Sequence, residues 1–418
     1  MFKFLHTADI HLDSPLKGLE VHEDAPVAEI RSATRRAFDN LIALAVEEEV
    51  DFVLISGDLY DGEWKDYNTG LFFAGRVGQL DKAGIKVFMV SGNHDAASQI
   101  TRAMPLPANV THFSDKKTQS VKLDDLGVII HGRSYSSRAV TENLASQYPS
   151  YDSGYFNIGL LHTSLNGRAG HENYAPCTAA ELKAKGYDYW ALGHVHQREI
   201  VCADPWVVFP GNVQGRHIKE TGAKSATLVT VEDGRISGVE ERELDVLRWA
   251  ICDVDLTECT TSGDVHARVR SAMEKAQGGA DGKTLALRLR LLGSCSLHSE
   301  LHARSFHWSE EFRGIAASLG EVWLEKVKFR TTGKTSLQAL IDEDSPFSGL
   351  LKAVEALDFN EEELSSLVPD LSSLKSKLPA ELLKDEFLFT SQPDDLMELR
   401  EEIRELLIAK LLQHGDGA

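Results

Sequence analysis

The chain has 418 residues, 42% hydrophobic and 26% charged, with 44 Lys and Arg against 64 Asp and Glu for a formal charge of -20. That composition is globular, sufficient for two or three domains with cores of their own, and it contains no run of roughly eighteen apolar residues of the kind a membrane span needs. The net negative charge excludes a broad, unspecific grip on nucleic acid, so a polyanionic substrate would need positive potential made locally, by metal, by a basic groove or by a partner protein. A first strand that starts at the second residue leaves no room for a signal peptide, and the expected location is cytoplasmic. The cysteines Cys177, Cys202, Cys252, Cys259 and Cys295 are scattered without a CxxC pair. They are expected to be reduced core thiols, not a disulfide framework or a zinc site.

In chain order, residues 1–240 alternate short apolar runs with polar or helical stretches: "FKFLH", "DFVLIS", "KVFMVS", "GVIIHG", "FNIGLLH", "DYWALG", "WVVFP" and "ATLVTV". These read as strands of one large sheet system. Between the first two, Ala33, Ala37, Phe38, Leu41, Leu44 and Ala45 stand at helical spacing, which predicts a crossover helix over 31–49 and a parallel α/β core. Residues 245–335 then read as a small α+β module with strands "WAICDVDL", "TLALRLRLL" and "EVWLEKVKF" and a helix over 264–277. The region 345–418 turns helical and acidic. Its last helix carries an apolar stripe of Leu396, Leu399, Ile403, Leu406 and Leu407, with Ser391 and Asp394 placed as a capping box. Such a helix either packs on its own domain or docks on another chain.

Five short segments follow predicted strands and carry chemistry: "ADIH", "SGDLYD", "SGNHD", "LLHTS" and "LGHVHQ". They supply Asp9, His11, Asp58, Asn93, His94, His162, His194 and His196. A single histidine at a strand end is more often structural than ligating; five such segments gathered on one sheet edge, where ligands bind in parallel sheets, predict a metal site. Imidazole, carboxylate and amide donors together suit borderline ions such as Mn²⁺, Fe²⁺ or Zn²⁺, whereas Mg²⁺ and Ca²⁺ prefer oxygen alone. Eight donors exceed one ion; two ions about 3.5 to 4 Å apart around a shared carboxylate would use them. With Asp9 and Asp58 as the anionic ligands, such a pair retains a surplus of about two positive charges, which draws phosphate to an otherwise anionic chain. His6 and Asp13 are expected to support their loop by hydrogen bonds, and His131 and His171 to be structural or surface residues. Arg133, Arg168 and Arg216, all in loops near these strand ends, either contact phosphate or are solvated or salt-bridged.

The series DxH, GD, GNHD, H and GHxH resembles the calcineurin-like metallophosphoesterase superfamily over about the first 240 residues. "LHTADIHLDSPL", "GDLYD", "SGNHD" and "PGNVQGRHIKETG" are similar to SbcD-like DNA repair exonucleases of the YhaO type. The resemblance implies a β-sandwich flanked by helices in four α/β/β/α layers, followed by a small α+β capping domain and a helical C-terminal tail. It implies that Asp9, His11 and His196 hold one metal and Asn93, His162 and His194 the other, with Asp58 bridging. His94 would then stand beside the scissile phosphate, with Asp95 orienting its ring. Among the loop arginines, the resemblance favours only Arg216, which lies in "PGNVQGRHIKETG", for a phosphate contact. Some relatives carry a second catalytic histidine three residues after the bridging aspartate; Asp61 stands there in this chain, where it either takes a supporting part or caps the following turn, the second being slightly favoured. The activity implied is a Mn²⁺-dependent exonuclease or endonuclease acting on DNA, with partners in an SMC-like ATPase subunit and a second copy of the chain, and none in a membrane. A phosphodiesterase or phosphatase acting on a nucleotide or other small phosphoester would use the same ligands. A non-catalytic scaffold would be expected to have lost some of them.

Overall fold

Side chains that alternate along a strand face opposite ways, and in this chain both faces are apolar, so the strands must be covered on two sides. In β1 (Phe2–Thr7), Phe2 and Phe4 enter one core and Leu5 another. β2 (Phe52–Ser56) divides the same way, Phe52 and Leu54 against Val53 and Ile55, and so does β3 (Lys86–Val90), Phe88 and Val90 against Val87 and Met89. These assignments come from a computed structural model that describes residues 1–14, 27–61, 67–97, 106–165, 174–333 and 346–355, together with 403, 404 and 406–408. The chain divides into two units, Met1–Trp249 and Ala250–Ala418.

Further strands of the first unit are β4 (Val110–His112), β5 (Gln119–Leu123), β6 (Val128–Gly132), β7 (Phe156–His162), β8 (Tyr189–Gly193), β9 (Glu199–Ala203), β10 (Trp206–Phe209), β11 (Ser225–Glu232) and β12 (Arg235–Glu243). One sheet runs β12-β11-β1-β2-β3-β4 and the other β5-β6-β7-β8-β10-β9. β1 to β4 are mutually parallel, as are β6, β7, β8 and β10, while β11, β12, β5 and β9 run antiparallel to their neighbours. The eight expected strands all form. They are shared between two sheets and are not joined in one, because the aromatic faces of β1, β2 and β3 pack on a second sheet and not on helices. Phe4 stacks on Phe52 with centroids 5.1 Å apart and meets Tyr189 of the facing sheet edge-on at 5.2 Å.

The outer face of the first sheet is covered by α1 (Val27–Glu47), through Ala37, Phe38, Leu41, Ile42 and Ala45, and by α2 (Tyr67–Lys82), through Phe73, Val77 and Leu80. On the outer face of the second sheet, Leu161, Trp190, Leu192, Val207 and Phe209 pack with Leu144, Tyr148, Leu182 and Tyr187. The result is a mixed α/β architecture of two sheets flanked by helices. In the second unit, β13 (Leu247–Asp255), β14 (Thr284–Ser294) and β15 (Val322–Thr332) form a three-stranded sheet, β14 and β15 parallel, with the helices Ser262–Gly278, His298–Ala303 and Ser305–Leu319. Thr261 and Asp264 close a capping box on the first of these helices. Val265, Val269 and Met273 join Leu287, Leu289, Phe312 and Ile315 in its core. Of the expected last helix, Ser391, Asp394, Leu396 and Leu399 lie outside the described residues. Among the described residues no helix is long and apolar enough to cross a membrane.

Candidate metal centre

Parallel strands bring their carboxyl ends to one edge, and every candidate donor leaves its strand there. Asp9 and His11 follow β1, Asp58 follows β2, and Asn93, His94 and Asp95 follow β3 at the start of α3 (Asn93–Ala97). His162 is the last residue of β7, and His194 and His196 follow β8. The chain turns abruptly at these exits: Asp9, His11, Asp58 and His194 take φ of 50°, 45°, 52° and 105°, left-handed values that side-chain-bearing residues adopt where surrounding structure imposes them. Two glycines make the convergence possible. A Cβ on Gly92 would stand 2.3 Å from Asp58 Oδ1 and 2.8 Å from His162 Cε1, and one on Gly193 would stand 2.0 Å from the Ser56 carbonyl oxygen. The glycine that precedes Asn93 and the one that precedes His194 are therefore demanded by close approach.

The donors gather in three overlapping groups, each with ligand atoms within 4.8 Å of one another: Asp9, His11 and His196; Asp9, Asp58 and His162; and His11, Asp58 and His94. His11 Nε2 and His196 Nε2 face each other at 3.3 Å, close to the ligand–ligand edge of an ion with bonds of about 2.1 Å. On the other side, His162 Nε2 lies 3.0 Å from Asn93 Oδ1 and 3.5 Å from Asp58 Oδ2. Asp58 Oδ2 is also 4.0 Å from His11 Nε2, which puts this carboxylate between the two clusters. The ring of His194 stands edge-on to that of His162 with centroids 5.3 Å apart, and its backbone N–H donates to both oxygens of Asp9 at 3.1 and 2.9 Å.

Supporting contacts decide which nitrogen each ring presents. His162 Nδ1 donates to the Ser56 carbonyl at 2.8 Å, and His196 Nδ1 donates to Glu220 Oε1 at 2.6 Å, which leaves Nε2 of both rings as a lone pair turned toward the cluster. Burial lowers the pKa of His162 to about 4 and also lowers those of His11 and His196, keeping the rings in the neutral form that binds metal. Burial, and for Asp9 the neighbouring Asp58, pushes both of these carboxyls up. Two buried carboxylates facing neutral imidazoles form an arrangement that lacks positive charge, and two divalent cations would supply it. The donor set thus fits a dinuclear centre.

Other expectations meet mixed outcomes. His6 is held between Tyr189 Oη at 3.0 Å, Ser56 Oγ at 2.9 Å and the Leu192 carbonyl at 3.1 Å, and Asp13 takes a two-pronged contact from Arg35 at 2.6 Å on each oxygen, so both are supports. His131 bonds Ser120 Oγ at 2.7 Å and stacks on Tyr187. Arg133 reaches Gln147 and the Asp115 carbonyl, whereas Arg168 and His171 lie outside the described residues.

Asp95, expected to orient the His94 ring, instead accepts three backbone N–H groups, from Leu59, Tyr60 and Gly92, and so pins the loop after β2. Asp61 takes the orienting place: its Oδ1 lies 3.0 Å from His94 Nδ1. It also accepts from Ser14 Oγ at 2.6 Å and lies 3.6 Å from Arg216 Nη1, so it does more than cap a turn. Burial alone would raise Asp61, but its contacts with His11 and His94 and the charge of Arg216 outweigh that and hold it far below the usual carboxylate range. Burial works against a charged His94, yet Asp61 and Asp58 together raise its pKa.

Glu220 carries no signal in the motif spacing. It is buried, and besides His196 it accepts from Asn212 Nδ2 at 3.0 Å and the Arg216 N–H at 2.7 Å. Burial alone would raise its pKa, but the hydrogen bond to His196 and the charge of Arg216 outweigh that and hold it far below the usual range. Its one sequence cue is its place in "PGNVQGRHIKETG", where Arg216 draws the eye first.

Residues 2–198 match the calcineurin-like phosphoesterase family, and residues 249–332 match the middle domain of the metallophosphoesterase YhaO. The chain is 34% identical over 372 residues to the uncharacterized metallophosphoesterase YhaO of Bacillus subtilis (strain 168), an alignment spanning 86% of this chain and 88% of that protein. Among solved structures, TT1561 of Thermus thermophilus is similar at 13% identity with a TM-score of 0.34, covering 58% of this chain and 99% of that one. A dimetal phosphatase from Danio rerio is similar at 12% identity with a TM-score of 0.35, covering 58% and 98%. With that homology and a donor cluster suited to divalent cations, the chain belongs to the calcineurin-like metallophosphoesterase superfamily, as a homologue of the YhaO-type proteins, and is a metal-dependent phosphoester hydrolase.

Proposed function

We propose that this hydrolase is a DNA nuclease that uses two manganese(II) ions, acts in the cytoplasm as a homodimer, and serves as the nuclease subunit of a complex with an SMC-like ATPase. The two-metal part of the reading is supported by the donor cluster: Asp9 lies with His11 and His196 and, together with Asp58, with His162, while Asn93 Oδ1 stands 3.0 Å from His162 Nε2 and the His194 ring is edge-on to that of His162. When bound there, two divalent ions supply Lewis acidity toward a phosphoryl oxygen and lower the pKa of water enough to provide hydroxide near neutral pH. Asp9, His11 and His196 would hold one ion, Asn93, His162 and His194 the other, and Asp58 would serve both.

The remaining work falls to side chains of the chain itself. His94 is 31% exposed while His11 and His162 are fully buried, so a substrate can reach its ring. With Nδ1 engaged by Asp61, its Nε2 is free to give a proton to the leaving oxygen, and Asp61 stabilises the charged ring before that transfer. Arg216 keeps its guanidinium beside Asp61 and Glu220, where it can also meet a phosphate oxygen.

Duplex DNA is favoured as substrate by the length of chain that follows the phosphoesterase core and by where the charge lies. Residues 250–333 hold eleven basic and eleven acidic side chains, whereas residues 334–418 hold eight and nineteen. The acidic excess therefore resides in the core and the C-terminal region, and the intervening module does not repel a phosphate backbone. The test compares end-labelled linear duplex DNA, a cyclic nucleotide and an aryl phosphate reporter, each with Mn²⁺, for wild type and His94→Gln. Degradation of DNA by wild type alone is expected. Turnover of the small phosphoesters with intact DNA would replace this reading by a phosphodiesterase or phosphatase.

A further inference from the structure

Glu220 and Arg216 share one loop, residues 211–222, and that loop is fastened by groups that hydrolysis itself does not use. Gln214, 1% exposed, lies at its middle. Its Oε1 accepts from the backbone N–H of Val246 at 3.0 Å and of Leu247 at 3.3 Å, and its Nε2 donates to the carbonyls of Leu247 at 2.6 Å and Gly215 at 3.0 Å. Trp249, also 1% exposed, donates from its indole nitrogen to the Gly215 carbonyl at 2.9 Å, and its own carbonyl accepts from the Gly222 N–H at 3.0 Å. A Cβ on Gly215 would stand 2.8 Å from the Glu220 carbonyl oxygen and 2.9 Å from Trp249 Cδ1, so indole, glycine and the Glu220 backbone touch without slack. At the opposite end the Asn212 N–H donates to the His196 carbonyl at 3.2 Å.

A loop held at its ends alone would let the Glu220 carboxylate wander by more than the ~0.5 Å that a working site tolerates. We propose that Gln214, Gly215 and Trp249 form a clasp that positions Glu220 and, through it, the Nε2 of His196 for metal binding. The clasp residues are positioning residues: Gln214 and Trp249 bond backbone groups, and their effect on His196 passes through Glu220. The inference rests on the assignment of His196 as a metal ligand.

Calorimetric titration of the metal-free full-length protein with Mn²⁺ tests it, comparing wild type, Glu220→Gln, Trp249→Phe, Gly215→Ala and the two clasp changes each combined with Glu220→Gln. Trp249→Phe keeps an aromatic ring and removes only the indole donor. Glu220→Gln is expected to weaken one of two ions by roughly 10–100-fold, the usual effect of losing a carboxylate behind a ligating histidine. The clasp variants should weaken that same ion by about tenfold, with little further loss when combined with Glu220→Gln, since both act along one route. Wild-type affinity in both clasp variants overturns the proposal. So does a combined loss equal to the product of the single losses, or an equal weakening of both ions that follows a fall in Tm. Should Gly215→Ala fail to fold, Trp249→Phe decides the matter alone. The wild-type isotherm shows first whether two ions bind, so failure of the dinuclear reading is seen apart from failure of the clasp.

Discussion

The two ends of the metal centre are built by different means. At the Asn93–His162 end, the ring belongs to the last residue of β7 and is fixed by the carbonyl of Ser56, the last residue of β2, so the ladders that make the sheets also aim the ligand. At the other end, His196 lies three residues beyond β8, and its ring is aimed by the side chain of Glu220, which depends in turn on a loop. The two rings differ in exposure as well: the His162 side chain is fully buried and that of His196 is 25% exposed, although His11 and Asp9 beside His196 are fully buried. A site can therefore take one half of its precision from backbone architecture and the other half from a relay of side chains. The two halves should break differently.

Asp58 lies between the halves, and replacing it should cost the most. Asp58→Asn is expected to weaken both ions and to reduce phosphoester hydrolysis by on the order of 10³-fold or more, read by metal titration and by turnover of an aryl phosphate diester; loss of one ion only would show that this carboxylate serves a single half. His94→Gln should lower kcat by roughly 10²- to 10⁴-fold while both ions bind as in wild type, because the ring works on the leaving group; metal loss in that variant would make His94 a ligand. Gly92→Ala drives a methyl group into Asp58 and His162, so it should damage the sheet-built end first, whereas Glu220→Gln should spare that end and weaken only the ion beside His196, by roughly 10–100-fold.

The division also marks what the sequence makes legible. Donors on strand exits announce themselves, because a polar residue directly behind a buried apolar run has few structural reasons to be there; Asp9, Asp58, His162 and His194 are of this kind. Glu220 is invisible in the same way that His162 is visible: no spacing ties residue 220 to residue 196, and only the folded loop brings them together. Asp61 and Asp95 exchange their expected parts for a similar reason, since which of two nearby carboxylates faces the His94 ring is settled by whether it is turned toward backbone N–H groups or away from them. The short or polar strands β4, β5 and β12 lack an apolar run, as in "RISGVEERE" of β12, and owe their form to a neighbour's edge. The strand pattern by itself does not show the split into two sheets, because every central strand is apolar on both faces whichever sheet it joins; only the family resemblance implies the sandwich.

The smallest expected effect concerns a residue in the densest cluster of candidate ligands that belongs to neither half. Asp13 sits two residues after His11 and has the same left-handed backbone, φ 63°, yet its carboxylate is turned toward Arg35 of α1 and Thr69 of α2. Its backbone N–H donates to Thr34 of α1 at 3.1 Å. These contacts hold the loop after β1 on the helical layer. Asp13→Asn keeps the shape and removes the charge, and because Arg35 is one-third exposed, water can solvate the guanidinium that is released. Stability should fall by about 1 kcal/mol, measured by denaturant unfolding, while both metal affinities and kcat stay within about twofold of wild type. A selective loss of the ion beside His11 would mean that the loop after β1, like the loop that carries Glu220, transmits side-chain position to the metal, and the His196 end would then depend on two relays.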